Sequence, residues 1–178
     1  VPAKREDTTT PALDVPGAGR QAAALAGFLA VAYTISFLSS RVITSHSVGW
    51  YATASKAPWT PPGWAFATAW GMLYTAMAVA AWLVWRQRSE PRRSAMTIYG
   101  VLLLVNLSWA PLFFGMYPAI GAAALWLALG LIVVHVVAAA ATVVRFGVIS
   151  RTAGLLMLPY VSWLVFSSSL NLYAAAYN

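Results

Sequence analysis

The sequence predicts an all-α membrane protein, a bundle of five transmembrane helices. Three observations predict it. Of 178 residues, 61% are hydrophobic and 8% charged, against roughly 45–50% apolar and about 25% charged in soluble domains. The apolar residues gather into five runs, each near the ~20 residues that a helix needs to cross a bilayer core. The Lys and Arg residues sit at the ends of those runs. A helix satisfies its own backbone hydrogen bonds, so it is the spanning form available to apolar runs of this length.

Residues 1–20 are polar, with Pro2, Pro11, Pro16 and mixed charges, and read as a mobile tail. Residues 21–178 form the five-helix domain. The first span covers 22–40. Ala30-Val31-Ala32 would suit signal cleavage, but the apolar run continues to Leu38 and acids precede it, so it reads as a span. The loop 42–63 holds Trp50, Trp59, Pro58, Pro61 and Pro62. Proline fixes φ and removes a backbone donor, so this loop is expected to be stiff, non-helical and aromatic. It suits either a lid or a headgroup anchor. The later spans are 64–85, 96–114, 119–144 and 153–173. The fourth is rich in Gly and Ala and reads as a packing helix. Its His135 is expected to be a hydrogen-bonded packing residue.

Orientation follows from the basic residues. Lys4, Arg5, Arg20, Arg86, Arg88, Arg92, Arg93, Arg145 and Arg151 share one side, and Arg41 and Lys56 the other. Nine against two predicts a cytoplasmic N-terminus and an external C-terminus. The +7 charge is therefore a topology signal, and no nucleic-acid partner is expected. Trp85, Tyr99, Tyr117 and Tyr173 lie near predicted span ends, as an interfacial aromatic belt would.

The chain has no Cys, two His and four acidic residues, none after Glu90. Thiolate chemistry, a metal cage, paired carboxylates and a Ser-His-Asp triad lack their groups. Ion-coupled transport usually places carboxylates on its path, and the spans hold none. No intrinsic cofactor, no metal and no catalytic residue are expected.

Three helical faces carry the remaining signal. Trp70, Tyr74 and Met77 share one, Asn106, Trp109 and Phe113 a second, and Trp163, Ser167 and Asn171 a third. Converging, they would line an aromatic cavity with a few hydrogen-bonding groups, fit for a large flat ligand. The same spacing also fits tight helix packing with Asn as polar glue.

The stretches WYATASKAPWTPPGWAFATAWGMLY (50–74), NLSWAPLFFG (106–115) and PYVSWLVFSSSLN (159–171) resemble the TspO/MBR family, in order and spacing, over about residues 22–177. The resemblance implies five transmembrane helices, usually a homodimer, and a cavity closed by the first loop. It implies porphyrin, haem or another tetrapyrrole as ligand, and some bacterial members promote light-dependent porphyrin breakdown. Carried over by position, the ligand-binding residues are Trp70, Tyr74, Asn106, Trp109, Trp163 and Ser167. Trp50, Trp59, Pro61 and Pro62 belong to the lid. The family's sterol motif needs a basic residue after a C-terminal Tyr, whereas Tyr173 is followed by three alanines.

The expectation is thus a receptor or carrier for tetrapyrroles in the bilayer of a bacterial cytoplasmic membrane. Light-dependent porphyrin degradation, passive tetrapyrrole export and a structural scaffold are the alternatives. Lys56 or Arg41 near the outer mouth is a candidate partner for ligand carboxylates.

Overall fold

The computed structural model describes residues 17–178. The expected tail therefore lies outside the described residues, apart from its last four. Five helices are long and apolar enough to cross a membrane: α1 (Ala18–Ser47), α3 (Gly63–Trp85), α4 (Arg92–Ala110, continued by a wide turn at Pro111–Gly115), α6 (Ala122–Ile149) and α7 (Arg151–Tyr177). Short helices α2 (Trp50–Thr53) and α5 (Tyr117–Ile120) lie in the connections. The chain is an all-α membrane protein.

The spans run further than the apolar runs. Polar ends such as Thr44, Ser45 and Ser47 stay helical because each hydroxyl bonds a carbonyl of the preceding turn. The first loop is accordingly shorter and less extended than expected. Residues 42–47 belong to α1, and 50–53 form a further helical turn. The non-helical parts are the turn at Val48 and Gly49 and the stretch 54–62, and Pro58, Pro61 and Pro62 all fall in the latter. Pro62, in extended geometry, caps α3.

Contacts order the spans into a closed ring, α1–α3–α7–α6–α4 and back to α1. The tightest pair is α6 with α7, and Gly154 explains how they meet. A Cβ there would lie 2.8 Å from Gly147 Cα and 3.1 Å from Val143 O. Small residues permit such close backbone approach.

Pro111 shapes the end of α4. It has no amide hydrogen to continue the ladder, and Met116 N instead bonds Pro111 O across a five-residue turn. The widened turn buries Phe113 and Phe114. Tyr99 departs from the sequence expectation. It is buried at 3% exposure, its ring 5.6 Å from Phe146, so it is a core residue and not part of an interfacial belt.

Candidate ligand site

At the centre of the ring, one hydrogen-bond chain joins four spans. The Tyr74 hydroxyl on α3 donates to Asn106 Oδ1 on α4 at 2.7 Å. Asn106 Nδ2 donates to the Tyr160 hydroxyl on α7 at 2.8 Å. That hydroxyl meets His135 Nε2 on α6 at 2.6 Å. All four side chains are buried. Apart from His135 Nδ1, which is buried without a partner, each polar side-chain atom of this chain has found one on a neighbouring helix, as the cost of burying an unpaired group favours. Asn106 has thus committed both ends of its amide to protein. His135 is hydrogen-bonded packing, as its isolation in the sequence suggested.

A second polar contact lies nearer the lid. Trp109 Nε1 donates to Asn171 Oδ1 at 3.1 Å, and Asn171 Nδ2 donates to the Leu125 carbonyl at 3.0 Å. Trp109 stacks on Phe113 at 4.9 Å. It packs against both core clusters, the central one and the one beneath α2. Trp109 and Asn106 are neighbours on α4, yet they serve different partners.

Between α3 and α7 the arrangement differs. Trp70 sits 6.4 Å from Trp163 and 5.4 Å from Tyr74, and Phe66 lies 5.5 Å from Trp163. The indole Nε1 of Trp163 and the Oγ of Ser167 are both buried without a hydrogen-bond partner. They lie one turn apart on α7, on one face. Two polar groups left unpaired beside three aromatic rings depart from the rule that buried polar groups are satisfied.

The first loop is tied down at three places. Trp50 Nε1 donates to Phe114 O at 3.0 Å, and its ring stacks on Tyr117 at 3.7 Å. Trp59 Nε1 donates to Ser169 Oγ at 3.2 Å. Ser55 exchanges backbone bonds with the Asn178 side chain at 2.7 and 3.0 Å. Pro61 and Pro62 complete the extended segment, with Pro62 leading into α3. Lys56 Nζ lies 4.8 Å from the centre of the Tyr51 ring and 3.3 Å from Ala52 O. Burial pushes the Tyr51 phenol up, so it stays neutral beneath that ammonium.

The sequence model of the TspO/MBR family matches residues 25–176, which takes in the first loop and all of the five spans but the first turns of α1 and the last residue of α7. The chain belongs to the TspO/MBR family. Relatives include the translocator protein of Sus scrofa, 36% identical over 148 residues, covering 82% of this chain and 84% of that one. The tryptophan-rich sensory protein of Cereibacter sphaeroides is 35% identical over 129 residues, covering 72% and 77%. The tryptophan-rich protein TspO of Archaeoglobus fulgidus is 29% identical, covering 84% and 90%.

Within this TspO/MBR fold the six sequence-picked residues fall into three settings. Trp70 and Trp163 meet between α3 and α7, with Ser167 one turn further along α7. Tyr74 and Asn106 belong to the central hydrogen-bond chain, and Trp109 bridges toward the lid. Two participants were missed. Phe66 lies one turn before Trp70, and its spacing would have revealed it. Tyr160 stands three residues before Trp163, but its partners come from other helices, and helix-to-helix register is not written in a single sequence.

Proposed function

We propose that this TspO/MBR membrane protein is a receptor or carrier that takes a porphyrin or related tetrapyrrole between α3 and α7, beneath the first-loop lid. The observation that carries this reading is the pair of unpartnered buried groups, Trp163 Nε1 and Ser167 Oγ, beside the rings of Trp70 and Phe66. A flat apolar ligand would stack on the rings, and a polar edge would satisfy the two orphaned groups. Apolar burial would supply most of the affinity, at about 25 cal/mol per Å² before the costs of association. Entry requires the lid to release its ties at Trp59 and Ser55. The functional unit is a homodimer in a bacterial cytoplasmic membrane, with the N-terminus cytoplasmic.

Protoporphyrin titration followed by tryptophan quenching tests the site. Saturable quenching that Trp70→Phe/Trp163→Phe weakens strongly is the expected result. Unchanged affinity in that variant overturns it. Orientation is tested separately. The chain has no Cys, so single Ser55→Cys and Gln87→Cys variants report sidedness to an impermeant thiol reagent. Labelling of Ser55→Cys from outside intact cells, with Gln87→Cys protected, is expected.

One observation favours a second reading, light-driven oxidation. Trp70 stands 6.4 Å from Trp163 and 6.2 Å from Tyr160, whose hydroxyl is 2.6 Å from His135 Nε2. An electron passing from Trp163 would reduce the excited porphyrin to its radical anion, which dissolved dioxygen, the oxidant, would then attack. The hole on Trp163 would be filled through Trp70 from Tyr160, with the phenol proton passing to His135. Illumination of the complex should then yield a neutral tyrosyl radical signal that Tyr160→Phe abolishes. Porphyrin loss no faster than for free porphyrin in detergent ends this reading.

A further inference from the structure

A space in the molecule lies at the span ends, away from the aromatic site. It is a cavity of about 560 Å³ lined by Arg20, Trp85, Arg86, Arg88, Ser89, Glu90 and Arg92. Three span ends meet there: the start of α1, the end of α3 and the start of α4. Among the described residues, four guanidiniums and one carboxylate line this single space, a concentration of positive charge that draws an anion. Arg92 Nη1 donates to the carbonyls of Trp85 and Gln87 at 3.2 and 3.3 Å, and the Arg86 guanidinium lies 4.9 Å from the Trp82 ring centre. The Ser89 Oγ is buried and has no hydrogen-bond partner. The first turn of α4 carries no acidic residue, and Pro91 gives it no side-chain cap. The positive end of that helix dipole therefore adds to the field of the arginines.

The positive-inside rule explains why arginines gather on this side of the membrane. It does not explain a cavity among them, nor a buried hydroxyl without a partner. From these we infer an anion site that takes a phosphate group, with the headgroup of an anionic phospholipid as its occupant. Guanidinium matches phosphate oxygens in geometry as well as charge. The Ser89 hydroxyl supplies the neutral donor that completes such a site. Trp85 on the wall and the position at the span ends place the cavity at headgroup depth, where basic pockets between spans hold anionic lipids. This inference is independent of the porphyrin reading, since none of these residues belongs to the aromatic site.

The test uses the full chain in nanodiscs of phosphatidylcholine with added phosphatidylglycerol. Lipid retained per protein is read by native mass spectrometry. The wild type should retain phosphatidylglycerol in preference to phosphatidylcholine. Arg20→Gln/Arg88→Gln should reduce that preference about tenfold or more, on the scale of one Lys or Arg at an anionic surface each. Ser89→Ala should reduce it about threefold. Arg145→Gln/Arg151→Gln removes two exposed charges outside the cavity and should leave the preference intact. Matched unfolding temperatures in phosphatidylcholine alone show that the variants fold. A parallel arm adds inorganic phosphate to protein in neutral detergent. Stabilisation by phosphate that the Arg20/Arg88 variant loses, without any lipid preference, supports the same site with a soluble occupant. If neither lipid nor phosphate distinguishes that variant from wild type, or if the Arg145/Arg151 variant loses as much, the inference is overturned.

Discussion

The hydroxyl of Tyr160 lies 2.6 Å from Nε2 of His135, and this contact closes a chain that runs through Asn106 to Tyr74. Asn106 Nδ2 can only donate, so Tyr160 accepts there; the tautomer that lets its own O–H donate in turn is the one with Nε2 unprotonated. The imidazole proton then sits on Nδ1, which is buried without a partner. Tyr160 is therefore the hub, and His135 is the end of the line.

That asymmetry predicts unequal costs. Tyr160→Phe strands both Asn106 Nδ2 and His135 Nε2, whereas Tyr74→Phe strands only Asn106 Oδ1. Each stranded buried group costs about 1–3 kcal/mol. Tyr160→Phe should thus destabilise the bundle about twice as much as Tyr74→Phe. Thermal unfolding in detergent, read by circular dichroism, checks the order. Equal losses would mean that water replaces the missing hydroxyl.

Gly154 faces the backbone of Gly147 across the α6–α7 pair while Gly147 points its own hydrogen to open space, so the two should respond differently. Alanine at 154 drives a Cβ into Gly147 Cα at 2.8 Å, and backbone cannot rotate aside. Alanine at 147 meets nothing within 4 Å. Gly154→Ala should cost about 1–3 kcal/mol, the range for overpacking. Gly147→Ala should fall within about 0.5 kcal/mol of wild type. Unfolding temperatures of the two variants measure this directly.

Ser167 should show opposite signs in stability and binding. Its Oγ is buried and unpaired without ligand, so Ser167→Ala removes a group that costs energy where it stands. The unliganded protein should be unchanged or slightly more stable. If the porphyrin edge satisfies that hydroxyl, the same variant should bind about three- to tenfold more weakly, the scale of one net hydrogen bond. Quenching titration and thermal unfolding on one preparation give both signs. Weaker binding together with lower stability would point instead to a packing role.

How much of this was legible in the sequence depends on the range of each feature. The five spans follow from local hydropathy, and Trp70, Trp163 and Ser167 from helical spacing, because a single helix carries both. His135 was readable as a packing residue. Its partner was not, since Tyr160 lies 25 positions away on another helix. Nor was the commitment of Asn106 to protein partners on both sides. The prolines 58, 61 and 62 marked the extended part of the first loop, and Trp50 was read as part of the same loop, but how Trp50 is held was not legible. It forms a helical turn, and its anchor is a carbonyl in a turn that Pro111 widens.

That anchor gives a last prediction, about how the lid opens. Trp50 is fixed by a 3.0 Å bond to Phe114 O, a 3.7 Å stack on Tyr117 and ring contacts with Phe113 and Phe114. Trp59 is 52% exposed and holds one 3.2 Å bond to Ser169 together with an edge contact to Tyr173. The two tryptophans are thus a hinge pin and a latch. Trp59→Ala should free the 54–62 segment while α2 stays docked, raising amide exchange there with little loss of stability. Trp50→Ala removes a largely buried ring and should cost about 2 kcal/mol, below the 3–5 kcal/mol of a fully buried aromatic. It should also raise exchange across both α2 and the lid. Hydrogen exchange resolved by peptide separates the two patterns. If Trp59→Ala alone releases α2 as well, the lid moves as one body about the α1 end, and the division between pin and latch fails.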